Sequence, residues 1–261
     1  MTDIAYLRIE KTPKERFNAF YEGLSSAGYS VSAHEPRRVR PGDVLVIWNK
    51  GGPNETYANC FEGLGGTVLV AENGYIGKDS GGHQLYALAR HDHNGAGAWN
   101  VGGPKFGQLN IELKPWRSYG SQILVCPNRH IGSKLMRMPF DFAVTASQVL
   151  RKYTKRPILV RPHPGNWQAS PPKVPIKEAL QDIWAVVIWS SSAGVHALVE
   201  GIPVFYCAPH WILSGAADNN LAYIENPTPQ ERLSAFERLA WAQWTIDELR
   251  KGEAFECLLR T

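Results

Sequence analysis

The sequence predicts an α/β protein in two halves, each a parallel sheet covered by helices. Apolar runs of strand length alternate with segments of helical spacing along most of the 261 residues. The breaks between them fall at Gly, Pro and Asn. One long Gly-, His- and Asn-rich stretch, Asn73 to Arg117, interrupts the rhythm, which restarts near residue 120.

Ile4 to Ile9 reads as a strand. Pro13 to Ala27 has amphipathic helical spacing, with Thr12 as its cap, Pro13 at its first position and Gly28 as its stop. Strands at Tyr29 to Ser32 and Asp43 to Trp48, a helix at Asn54 to Gly63 and a strand at Thr67 to Ala71 complete the first half. The stretch from Asn73 to Arg117 is too long for an inert connection, so it is expected to be a functional loop region. In the second half, strands are expected at Gln122 to Cys126, Pro157 to Val160, Ala185 to Trp189 and Pro203 to Tyr206. Helices are expected at Phe140 to Lys152, Lys177 to Leu180 and Gly194 to Glu200. The tail from Pro229 to Leu259 reads as helical, with Phe236, Trp241, Trp244 and Phe255 on an apolar face.

Hydrophobic residues make up 44% and charged residues 20%, ordinary globular usage that excludes a disordered or fibrous chain. The charged amino terminus lacks the apolar core of a signal peptide, and no apolar run approaches the roughly 20 residues of a membrane span. A cytoplasmic location is therefore expected, that of the host if the protein is phage-encoded. Cys60, Cys126, Cys207 and Cys257 have no paired spacing and are expected to be buried free thiols. The net charge of +4 permits an anionic partner without requiring one.

Two segments carry anion-binding chemistry. In ILVRPHPGN, Arg161, His163 and Asn166 follow an apolar strand, at the carboxyl edge where open α/β sheets bind ligands. Two prolines brace the turn, so His163 can donate to a phosphate oxygen while Arg161 offers a charged fork. In VVIWSSSAGVHALVEGIPVF, Ser190, Ser191, Ser192 and Gly194 lie between a buried strand and a helix start, where hydroxyls and free N–H groups suit a phosphate. A plain N-cap needs only one of those serines. Glu200, near the end of that helix, is a candidate for ribose hydroxyls, and Arg129 in CPNRHIGS is a candidate for phosphate.

R-P-H-P after one strand and S-S-S-A-G-V-H-A-L-V-E-G-I-P-V after the next resemble the donor lobe of GT-B glycosyltransferases, over residues 120 to 206. The nearest resemblance is to the capsule-polysaccharide biosynthesis group, where an HP motif and a serine motif contact the nucleotide. It implies two Rossmann-like lobes facing a cleft and a carboxyl-terminal helix crossing back to the first. It also implies a metal-independent enzyme without a permanently bound cofactor, using a nucleotide-sugar donor. A UDP-sugar is the first choice, with CMP- and GDP-sugars left open. The lobes would span 1–120 on the acceptor side and 121–228 on the donor side, with 229–261 as the closing tail; oligomeric state is left open.

A transferase must deprotonate an acceptor hydroxyl, so the first half should supply a base. Asp92, in ARHDHNGAG, is the first candidate and Glu72, in VAENGYIG, the second, with His93 beside them. The His91-Asp92-His93 run could set both imidazoles on one side, but no second cluster offers a further ligand of convincing spacing, so no metal site is assigned. The turn Lys50-Gly51-Gly52-Pro53 could approach the acceptor or simply turn the chain. The HNG tripeptide is similar to loops of small phage and bacterial glycosyltransferases. With nine tryptophans and a mildly basic chain, this makes a hydroxymethylated base in duplex DNA the first acceptor choice. A polysaccharide or glycolipid acceptor, and a nucleotide-sugar 2-epimerase, are the alternatives.

Overall fold

The computed structural model describes residues 2–165 and 174–259. These divide into two compact units, one of residues 1–110, 132–134 and 237–261, the other of 111–131 and 135–236.

The first unit begins with β1 (Ile4–Arg8), α1 (Lys14–Ser26), β2 (Ser30–Ser32), β3 (Val44–Trp48), α2 (Pro53–Gly63), β4 (Thr67–Lys78) and β5 (Gln84–Arg90). Its sheet is ordered β2, β1, β3, β4, β5, with neighbours parallel as far as β4 and β5 antiparallel. Val44 to Ile47 are all buried, as a central strand covered on both faces requires. Tyr6, Leu45, Ile47, Phe61, Val68 and Val70 form a core between this sheet and α2.

The second unit holds β6 (Gln122–Cys126), α3 (Phe142–Leu150), β7 (Ile158–Val160), α4 (Ile176–Ala179), β8 (Ile183–Ile188), α5 (Ala193–Val199) and β9 (Val204–Tyr206). Its sheet, ordered β7, β6, β8, β9, is wholly parallel. Ile123, Val125, Phe142, Leu150, Val187 and Phe205 lie in its core. The chain passes from β6 to β7 on one side and then to β8 on the other, which makes the β6–β8 junction the switch point where such sheets bind ligands.

The tail contains α6 (Leu233–Ala240), β10 (Gln243–Trp244), α7 (Ile246–Lys251) and α8 (Glu253–Leu259). All four cysteines are free thiols, but only Cys126 is buried: Cys60 is exposed on α2, and Cys207 and Cys257 are half-buried.

Four local expectations need correction. Thr12 does not cap α1: Pro13 occupies the cap position, with no side-chain hydrogen bond. β4 runs on to Lys78, so Glu72 lies inside the strand rather than at its end. The stretch from Asn73 to Arg117 is not one loop, because β5 pairs back onto β4. The tail is not continuously helical, since Trp244 lies on β10, which pairs with β5.

Candidate active site

The three loops leaving the carboxyl ends of β6, β7 and β8 surround a cavity of about 350 Å³. Its polar lining comes from Arg161 and His163 after β7, and from Ser191, Ser192 and His196 at and inside α5. Pro127, Pro164, Pro175 and Ile176 form an apolar side. Among the described residues no carboxylate lines it, so its electrostatics favour an anion.

His163 is oriented by the turn that follows it. The Gly165 N–H donates to Nδ1 at 3.0 Å, so in the neutral ring the hydrogen sits on Nε2, which is left to donate. Burial, then the charges of Arg129 and Arg161, hold the His163 pKa below its ordinary value, which keeps the ring neutral near pH 7. Burial and Arg161 act the same way on His196, against a weaker opposite pull from Glu200. One guanidinium and two neutral imidazole donors thus face one space. The Arg161 guanidinium donates to the Val174 carbonyl at 3.2 Å, and its buried Nε has no acceptor among the described residues.

The other predicted donor residues divide. Arg129 lies beside Gly165 and acts on His163 through its charge, although it does not line the cavity. Ser190 is buried and accepts from Asn128 Nδ2 at 3.1 Å, tying the loops after β6 and β8 across the switch point. The Ser191 hydroxyl accepts from the Ala193 N–H at 3.3 Å, and Ser192, at the cap position of α5, makes no capping hydrogen bond. Because α5 has only seven residues, its dipole adds less than the charged and imidazole groups. Gly194 packs the helix closely: an added Cβ would lie 2.7 Å from Ile188 and 2.8 Å from Trp211, and it does not line the cavity. Glu200 is ion-paired with Lys114 and also lies outside the lining. Asn166 lies outside the described residues.

Sequence reasoning missed His196 and Asn128. Both were within reach of the same logic, since His196 stands one helical turn after Ser192 and Asn128 follows an apolar strand at the same sheet edge.

In the first unit, Glu72, Asp92 and His93 do come together. Because β5 is antiparallel, the chain leaves it beside Leu69, yet the following turn folds back: the Asn94 N–H donates to Tyr75 Oη at 3.1 Å. Tyr75 Oη in turn donates to Glu72 at 2.6 Å. Asp92 Oδ1 accepts from the His93 N–H at 2.9 Å and lies 3.0 Å from His93 Nδ1. Burial alone would raise the Asp92 pKa, but His93 and Ser133 outweigh it and hold the carboxyl below its ordinary range. Burial depresses His93, yet Glu72 and Asp92 together push its pKa above the usual value. Burial and the Glu72 charge drive the Tyr75 pKa well upward, so its hydroxyl stays protonated and donates to Glu72.

Gly51 lets the segment 132–134 pack closely against the turn before α2. A Cβ on Gly51 would lie 2.8 Å from the Gly132 carbonyl oxygen, and the Lys134 N–H is fixed by Glu55 at 2.6 Å. The adjacent Lys50 is buried, donating to the His91 carbonyl at 2.7 Å. His91 does not join His93: its exposed ring bonds Glu62 at 2.7 Å while His93 is buried. Among the described residues no three His, Cys, Asp or Glu side chains cluster as metal ligands.

The fold and cavity define an α/β protein with an anion-favouring site at the carboxyl edge of its second sheet. Two solved structures from Thermosulfurimonas dismutans share the fold. The KpsC beta Kdo 2,4 transferase is 15% identical with a TM-score of 0.56, the match covering 92% of this chain and 90% of that one. The KpsC beta Kdo 2,7 transferase is 11% identical with a TM-score of 0.51, covering 97% and 99%. No family model and no curated protein sequence matches the chain. Among the described residues no helix is long and apolar enough to cross a membrane.

Proposed function

We propose that the protein is a glycosyltransferase that takes a sugar from a nucleotide-sugar donor bound in its second unit and transfers it to a saccharide acceptor. The carboxylate-free cavity holding Arg161, His163 and His196 at the sheet's switch point is the observation that carries this reading. As the glycosidic bond to the donor breaks, negative charge grows on the departing phosphate. Arg161 and the Nε2–H of His163 are preorganised donors for that charge, and such donors act most strongly on charge that develops during reaction. Arg129 adds a second cation nearby, and the serine hydroxyls complete the set. This supports a reaction that runs without a metal ion.

On the acceptor side, Asp92, Glu72 and His93 are the candidates to receive the hydroxyl proton. Asp92 is held ionised, His93 is made more basic by its carboxylate neighbours, and Glu72 is oriented by Tyr75. A polysaccharide or glycolipid acceptor fits better than a modified DNA base, because both solved structures are named as Kdo transferases. Six of the tryptophans that suggested DNA are buried or have their indole N–H bonded within the chain. Trp99, Trp211 and Trp244 are buried, and the indoles of Trp184, Trp189 and Trp241 donate to backbone carbonyls.

A thermal-shift screen over UDP-, CMP- and GDP-sugars tests the donor, since a ligand of the native state raises its apparent stability. Incubation of the protein with the stabilising donor alone then separates transferase from 2-epimerase. A transferase leaves the sugar's configuration unchanged; epimerised nucleotide sugar would contradict the proposal.

A further inference from the structure

A second cavity, of about 480 Å³, lies in the first unit, lined by residues 104–108 and the tail. Its walls include Trp241 and Trp244, whose rings meet edge to face at 75° with centroids 5.8 Å apart, forming an aromatic corner. Buried Lys105 stands 3.7 Å from the Trp244 ring centroid and 3.0 Å from Glu248. Gln108 and Glu253 are exposed at the cavity. Trp244 Nε1 is buried without an acceptor among the described residues, although Trp244 lines the cavity.

We propose that this cavity binds an uncharged, hydroxyl-rich sugar ring of the acceptor, an assignment that rests on the glycosyltransferase reading for its role but not for its binding chemistry. The lining sets Glu248, Glu253 and Glu256 against Lys105, which Glu248 already pairs, so an anion would be repelled here. A hydroxyl both donates and accepts, so a polyol can satisfy Lys105, Gln108 and Glu253 together. The flat carbon face of a sugar ring packs against an indole, which supplies a large apolar surface at a fixed angle. The volume falls within the roughly 300–1,000 Å³ of small-molecule sites.

The cavity is also joined to the acceptor-side cluster inside the same unit. Lys105 Nζ donates to the Gln243 carbonyl at 3.4 Å. The buried Gln243 side chain accepts from the Tyr75 N–H at 2.8 Å and donates to the Ile76 carbonyl at 2.6 Å. Tyr75 holds Glu72. A sugar in this cavity is therefore tied through Gln243 to a residue that orients a candidate base.

Ligand-observed NMR on the full chain without donor tests the assignment, using maltotriose, lactose and mannotriose as neutral probes. A glucosamine trimer and trigalacturonate serve as charged probes. Saturable binding of a neutral sugar is expected, weakened about tenfold by Glu253→Gln, as for loss of a hydrogen bond to a charged group. Trp241→Ala is expected to abolish it and His163→Ala to leave it intact. Absence of neutral-sugar binding, binding only by a charged trimer, or binding unaffected by both Glu253→Gln and Trp241→Ala would overturn the proposal. Nucleotide-sugar affinity measured on the same His163→Ala protein reports on the transferase reading separately.

Discussion

The His163 pKa is shifted down, by burial and then by Arg129 and Arg161, whereas the His93 pKa is shifted up because Glu72 and Asp92 outweigh its burial. For His163 the folded pKa lies below the unfolded value of about 6.5. Its contribution to stability is full above that value and is lost as pH falls toward the folded pKa. For His93 the folded pKa lies above the unfolded one, so its contribution is full below about 6.5 and is lost as pH rises through the folded value. His93→Gln is therefore expected to reduce the loss of stability on raising pH from 6 to 9, read as urea midpoints at matched ionic strength. Superimposable pH profiles for the variant and wild type would show that His93 does not feel Glu72 and Asp92 in solution. Gly51→Ala offers a second check, since an added Cβ should push the Gly132 backbone away. The expected result is a loss of about 1–3 kcal/mol of stability, read as a urea midpoint; an unchanged midpoint would contradict the close approach of Gly51 and Gly132.

Elements were legible in the sequence where burial on both faces left an unbroken apolar run. VLVIW and QILVC became β3 and β6, and AVVI lies in β8, because each holds an unbroken apolar run. β5 was missed because QLYALAR sits between Gly-, Ser-, Asp-, His- and Asn-rich segments that read as one loop. β10 was missed because two residues carry no period, and only pairing with β5 makes Gln243 and Trp244 a strand. The same contrast holds for the candidate site: His163 and Ser191 were visible from their position after strands, whereas the Asp92–His93 contact depends on a turn that folds back after an antiparallel strand. Helix packing was also illegible in advance. At Gly23 of α1 an added Cβ would lie 1.8 Å from the Leu249 carbonyl oxygen of α7, whereas at Gly63 of α2 nothing lies within 4 Å. Gly23→Ala should destabilise by about 1–3 kcal/mol, and Gly63→Ala should stabilise by up to about 1 kcal/mol. Equal thermal shifts for the two would contradict the close approach of α1 and α7.

If the protein is the proposed glycosyltransferase, donor recognition falls to the second unit and proton chemistry to the first. The most direct measurement is calorimetric titration of the stabilising nucleotide sugar into wild type, Arg161→Ala and Asp92→Asn, with transfer to a saccharide acceptor assayed on the same samples. Arg161→Ala is expected to weaken donor binding by about tenfold to a hundredfold, as for loss of a charge-assisted hydrogen bond, and to lose transfer. Asp92→Asn is expected to keep donor affinity within about twofold while transfer falls at least a hundredfold, within the usual contribution of a positioned base. Donor binding that is unchanged in Arg161→Ala, or lost in Asp92→Asn, would contradict the assignment of the nucleotide to the cavity beneath β6, β7 and β8.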